Sequence, residues 1–207
     1  MSQLRRSVAG GEAPTGHSRF LPRLRRDDSG ATLVEASLAL PILLLVLIGI
    51  LELGLAFKDY LTVSYLSKEG ARIGALAGDD AEADCAILRG LGGLATQGDL
   101  NRIDSIQIFK ADEGTGDQGI TNVAQRVDGR DPTVCSVPAD PSIDGWVFTA
   151  QPWDPTSRQA AVGSQPLDII GVRIQLNREW VTGFPPFSGS STVDEVTITR
   201  LEPNVFE

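Results

Sequence analysis

The chemistry open to this chain is narrow, and a few residues bound it. The only histidine in its 207 residues is His17, so the chain beyond residue 17 lacks the commonest general base. Ser-His-Asp and Cys-His nucleophilic catalysis are excluded there for the same reason. The two cysteines, Cys85 and Cys135, are far apart and match no metal-ligand spacing. The acidic loops at 78–80 and 112–117 do not follow the register of a calcium loop and read as solvated turns. The Gly-rich stretch GLGGLATQG at 90–98 has no phosphate-binding lysine. No pair of carboxylates is singled out by spacing. These observations predict a protein that is not an enzyme and needs no cofactor, no metal and no small-molecule substrate.

Two other carboxylates stand out for where they lie. Glu35 and Glu52 interrupt a long apolar segment, residues 31–57, ATLVEASLALPILLLVLIGILELGLAF. Between them, 36–51 is free of charge. At 1.5 Å per residue, about 20 residues cross the ~30 Å hydrocarbon layer of a bilayer. The run is too long for a secretory signal and has no small-residue cleavage site after it, so a retained anchor is expected. A carboxylate inside such a helix is costly unless it is paired. Glu35 reads either as an assembly residue or as an acid marking one end of the span. Glu52 reads either as a partner for a basic group in an assembly or as a snorkelling acid at the outer boundary.

Charge gives the expected orientation. Residues 1–26 carry six arginines against Glu12, whereas from Lys58 onward 12 Lys and Arg face 22 Asp and Glu. The basic side stays in the cytoplasm. The domain boundaries follow: a disordered basic leader at 1–30, a transmembrane helix at 31–57 and an acidic extracytoplasmic domain at 58–207. Its charge excludes nucleic acid as a partner. In an oxidising compartment Cys85 and Cys135 are expected to form a disulfide, the alternative being two buried thiols.

The elements that hold these residues can be read from periodicity. A helix is expected from about 31 to 77, with Pro41 inside it. Past Phe57 it turns one-sided, with Ala56, Tyr60, Val63, Ser67, Gly70, Gly74 and Ala77 on one face. Gly78-Asp79-Asp80 ends it, and Asp79 or Asp80 caps a second helix reaching about Leu94. The period then becomes two. Ile106 and Ile108 oppose Gln107 and Phe109; Ile170, Val172, Ile174 and Leu176 oppose Arg173 and Gln175; Val196 and Ile198 alternate with Thr197 and Thr199. Residues 128–166 read as irregular apart from a short strand at 146–148. The fold class is α+β: a long N-terminal helix, a short one, and a small antiparallel sheet of three or four strands. Trp180, Phe184 and Phe187 flank Pro185-Pro186 and read as an interaction patch or as core.

The stretch RDDSGATLVEASLALPILLLVLIGILELGLAF resembles the TadE-like family, pseudopilins and pilus-assembly proteins of the Tad/Flp tight-adherence system. The glycine, the Val-Glu that follows, and the Leu- and Pro-rich span ending Glu-x-Gly carry the likeness. SYLSKEGARIGAL (64–76), DIIGVRIQLNREWVTGF (168–184) and ITRLEP (198–203) are similar to the family in the same order. The resemblance implies a pilin-like fold and cleavage by a prepilin peptidase between Gly30 and Ala31. Glu35 would then be the fifth residue of the mature chain and would meet the free N-terminal amine of a neighbour. It implies pilin-like and Tad-system membrane proteins, and the bilayer, as partners. The other reading is a membrane-anchored extracytoplasmic binding module that never enters a pilus; it would tolerate Glu35→Ala.

Overall fold

The computed structural model describes residues 29–126 and 146–203, apart from 162, 164, 184, 186 and 187. Of the expected leader only residues 29 and 30 are described, and they are already helical; Cys135, Phe184 and Phe187 lie outside the described residues. The chain divides into two units, Met1–Leu43 and Leu44–Glu207. In the first, the opening turns of helix α1 (Ser29–Ala77) expose Leu33, Leu38 and Ile42. In the second, α1 is still bare through Leu51, Leu53 and Phe57. Among the described residues α1 is the one helix long and apolar enough to cross a membrane.

From Glu52 onward one face of α1 is covered. Glu52 is buried, and from Asp59, two turns on, Asp59, Val63, Leu66, Ser67, Gly70, Ala71, Gly74 and Ala75 are buried on the rows of three and four. The expected face is therefore present with one substitution: Tyr60 is exposed, and Asp59 takes its place. Gly78 ends the helix at φ 56°, with its N–H on the Gly74 carbonyl at 3.1 Å. That left-handed turn is the ordinary glycine stop. The Asp80 carboxylate accepts from the Glu82 N–H at 2.7 Å, but the N-cap of α2 (Ala83–Leu94) is Glu82, without a side-chain cap bond, in place of the expected aspartate. A single turn, α3 (Gln97–Leu100), follows.

The five strands are β1 (Ile103–Ala111), β2 (Gln118–Arg126), β3 (Trp146–Ala150), β4 (Ile169–Glu179) and β5 (Ser190–Arg200). They form one antiparallel sheet in the order β3-β2-β1-β4-β5. The fold is α+β, with one more strand than the most expected. The extra strand is β2: its inward row carries Asn122 and Ala124, which gave no apolar alternation to read. Ile106, Ile108, Ile170, Val172, Ile174 and Leu176 form the inner face and pack on Val63, Leu66 and Ala71 of α1 and on Ile87, Leu88 and Leu91 of α2.

Glycine sets how closely these layers meet. A Cβ on Gly74 would lie 2.6 Å from Ile170 Cδ1 and 2.8 Å from Ile87 Cδ1, so α1 touches sheet and α2 at one point. On the outer face the Phe109 ring lies over Gly171, where a Cβ would meet Cζ at 2.2 Å. This buries Phe109 on the face opposite Ile106 and Ile108. In β5 Val193 packs against the core, but Val196 and Ile198 point outward, 40% and 45% exposed, and Thr197 faces α1, 2.9 Å from Ser67 Oγ. At the far end Leu201 is buried and the Glu202 N–H donates to the Ala75 carbonyl at 2.9 Å, satisfying one of the orphan acceptors of the last turn of α1.

Candidate functional site

Where the bare part of α1 meets the folded domain, six charged side chains alternate in sign. Glu52 is 1% exposed, Arg178 2% and Asp59 3%. Glu52 and Asp59 lie seven residues, two helical turns, apart on α1 and so share a face. Arg178 continues the inward row of β4 beyond Leu176 and comes between them. Its Nη1 donates to Asp59 Oδ2 at 2.7 Å; its Nη2 donates to the Glu52 carbonyl at 2.9 Å and to Glu52 Oε2 at 3.3 Å. The guanidinium is stacked on Trp180, 4.6 Å from the ring centroid. The second Glu52 oxygen, Oε1, accepts from the Thr182 N–H at 2.7 Å.

From Asp59 the chain of charges continues. Arg102, between α3 and β1, binds Asp59 in a two-pronged contact, 2.6 and 3.0 Å, and Asp99 at 3.1 Å. Lys58 Nζ reaches Asp99 at 3.1 Å, and Thr96 Oγ1 donates to it at 2.6 Å. Three acids face three bases. Planar pairs of this kind are the strong form of an ion pair. Every carboxylate is filled, so the arrangement offers no free base and no open coordination site. Its effect is to bolt α1 to α3, β1 and β4.

Burial alone would raise the Asp99 pKa, but the bonds from Thr96, Lys58 and Arg102 outweigh it and hold the carboxyl below its ordinary value of 3.8. The bond to Asp59 raises Arg102 in turn. Because the folded state favours ionised Asp99, the stability it contributes is fully present above the ordinary carboxyl value and is lost as pH falls through the lower folded one. The urea midpoint is therefore expected to hold from neutral pH to about pH 5 and to drop below about pH 4. Asp99→Asn should flatten that acid limb; an unchanged limb would show that other groups set it.

A second buried cluster ties residues 151–160 to α2 and β2. Arg158 is paired with Asp84 and stacked on Trp153 at 4.3 Å. Asp84 also accepts from Asn122 Nδ2 at 2.7 Å. Asn122 in turn binds the Trp153 backbone at both ends, 2.7 and 2.8 Å. This is how a stretch that reads as irregular is held in place.

The sequence-predicted residues fall out as follows. Gly30 and Ala31 lie in the first turns of α1 and are exposed, as is Glu35. Glu52 has a partner inside its own chain, Arg178, which neither reading of it had named. Trp180 is half-buried over Arg178, so this member of the expected patch is partly engaged within the domain. Cys85 is buried on α2, and its bridge to Cys135 stays a proposal. Asp59, Asp99, Arg102 and Arg178 were missed. Signals existed for two of them: the two-turn spacing of Glu52 and Asp59, and the place of Arg178 on the inward row of β4.

Among the described residues no cluster of His, Cys, Asp and Glu could hold a metal. No curated protein and no solved structure gives a match to the chain. The family model for TadE-like protein matches residues 30–72, which run from the start of α1 past Glu52 and Asp59. This is where the Val-Glu and Glu-x-Gly motifs lie, and over this segment the chain is similar to TadE-like proteins.

Proposed function

We propose that this protein is a single-pass, membrane-anchored, pseudopilin-like component of a Tad/Flp pilus machine, with its N-terminus in the cytoplasm and its acidic domain outside. The observation that carries the reading is the bare, apolar first part of α1 inside the TadE-like segment. A helix so exposed needs an apolar surround, either lipid or other helices. The six-charge cluster suits this role, because it joins the helix rigidly to the sheet. A pull or tilt on α1 would pass to the domain.

In this reading Gly30 and Ala31 form the prepilin-peptidase site, Glu35 pairs with the amine of a neighbouring subunit, and Cys85 bridges Cys135. The protein works by helix packing and protein contacts rather than catalysis. Glu35→Ala should leave the protein in the alkali-resistant membrane fraction but lose its co-purification with other pilin-like proteins of the system. Unchanged co-purification would favour the binding-module reading.

A further inference from the structure

We propose that the free edge of β5 receives an extended segment of a partner protein as a sixth strand, and that this segment carries a lysine or arginine for Glu195. β5 ends the sheet on one side and has no second neighbour strand among the described residues. It pairs with β4 through eleven consecutive residues, Ser190 to Arg200, without a register shift, whereas each of the other strand pairs has one. In an antiparallel pair every second residue turns its N–H and C=O away from the neighbour. The far side of β5 is therefore a long, regular row of backbone donors and acceptors. None of its residues is buried, while the opposite edge strand, β3, is shorter and buries Trp146. An open edge of this kind is what an extended peptide adds to.

The side chains set the partner's chemistry. Outward, the exposed Val196 and Ile198 suit apolar residues at alternate positions of an added strand. Inward, Glu195 lies opposite Ile174, between Val193, which packs on the core, and Thr197, which meets Ser67 of α1. Glu195 is half-buried, and among the described residues it has no ion pair and no hydrogen bond. A carboxylate in such a place asks for a cation, and an added strand would bring one from the open side. Asp194, on the outward row, is a second acid at the same level and holds Arg173 at 3.5 Å. An inward charge on an edge strand also repels indiscriminate pairing, so Glu195 selects a basic segment against neutral and acidic ones. A second copy of this chain does not fit. α1 runs antiparallel to β4, with Glu52 and Asp59 at Arg178 and Gly74 at Ile170. Antiparallel pairing of two β5 strands would reverse one α1 against the other, and two helices so opposed cannot enter one bilayer from the same side. That exclusion rests on the membrane-anchored reading of α1.

The test uses the full chain in detergent and two short synthetic peptides that alternate threonine and valine, one with lysine and one with glutamate at the centre. Both are N-methylated along one edge so that they do not pair with themselves. Fluorescence anisotropy reports binding, and amide hydrogen exchange reports where. The lysine peptide is expected to bind about tenfold more tightly than the glutamate peptide and to slow exchange in β5. Glu195→Gln should remove the difference between the peptides, and Glu195→Lys should reverse it. Glu195 is unbonded, so both variants should keep the wild-type urea midpoint; Glu195→Gln decides alone if Glu195→Lys does not fold. Equal affinity of the two peptides for the wild type, binding of neither, or protection outside β5 would overturn the inference. Tighter binding of both peptides by Glu195→Gln than by the wild type would also overturn it, showing an acid that keeps the edge empty. Protection of β5 without peptide, growing with protein concentration, would assign the edge to a second copy and overturn the inference; it would also tell against anchoring of both copies in one membrane. Every other outcome leaves the anchoring reading untouched.

Discussion

Arg178→Met is expected to destabilise the domain by about 3–5 kcal/mol, because it leaves buried carboxylates without their cation. Two acids lose their partner at once: Glu52 keeps the Thr182 N–H, and Asp59 keeps Arg102. The methionine fills the aliphatic space of the arginine, so most of the loss is electrostatic. The measurement is a urea or thermal midpoint for the protein in detergent. Partial rescue is expected when Asp59→Asn is added, since a neutral side chain no longer needs the missing charge. A loss below about 1 kcal/mol, the range of a solvent-exposed pair, would mean that the cluster is hydrated and does not bolt α1 to the sheet.

Asp84→Ala is the second large effect, also about 3–5 kcal/mol, because it strands the Arg158 guanidinium in a buried site. Arg158 is 4% exposed, and its Nε and Nη1 have no hydrogen-bond partner, so Asp84 is its main compensation. Asn122 and Gln151 lose an acceptor in the same change. The consequence should be local as well as global. Residues 151–160, tied to α2 through this cluster, are expected to become open to proteolysis before the sheet unfolds. Asp84→Leu combined with Arg158→Met should recover much of the midpoint, as apolar replacements of buried pairs often do. Equal protease resistance in wild type and Asp84→Ala would show that the stretch is held by other contacts.

The fold was legible wherever one face of an element is apolar. The row from Ile170 to Leu176 identified β4, and Gly78 identified the end of α1. The small residues at 70 and 74 marked the close approach of α1 to the sheet. Legibility failed where polar residues occupy inward positions. Asn122 hid β2, and Arg158 and Trp153 hid the order within a Pro- and Asp-rich stretch. The charge cluster was hidden for a different reason. Apart from Asp99 and Arg102, three residues apart, its partners are separated by 41 to 126 residues, and no local spacing records such a pairing. Arg178 was nonetheless readable, since the alternation of β4 carries on through it. An arginine on an inward row asks for a buried acid, and Glu52 and Asp59 stand two turns apart to supply one. Tyr60 misled in the other direction: its spacing from Ala56 and Val63 suggested the buried face, and the charge requirement gave that place to Asp59.

The central claim, a pilin-type membrane protein, is tested most directly by the N-terminus of the membrane-extracted protein. Intact mass should be measured with the cell's own prepilin peptidase present and absent. The account predicts a chain starting at Ala31 when the peptidase is present and a chain retaining residues 1–30 when it is absent. A start at Met1 in both samples would contradict it, leaving a permanently anchored domain outside the pilus pathway.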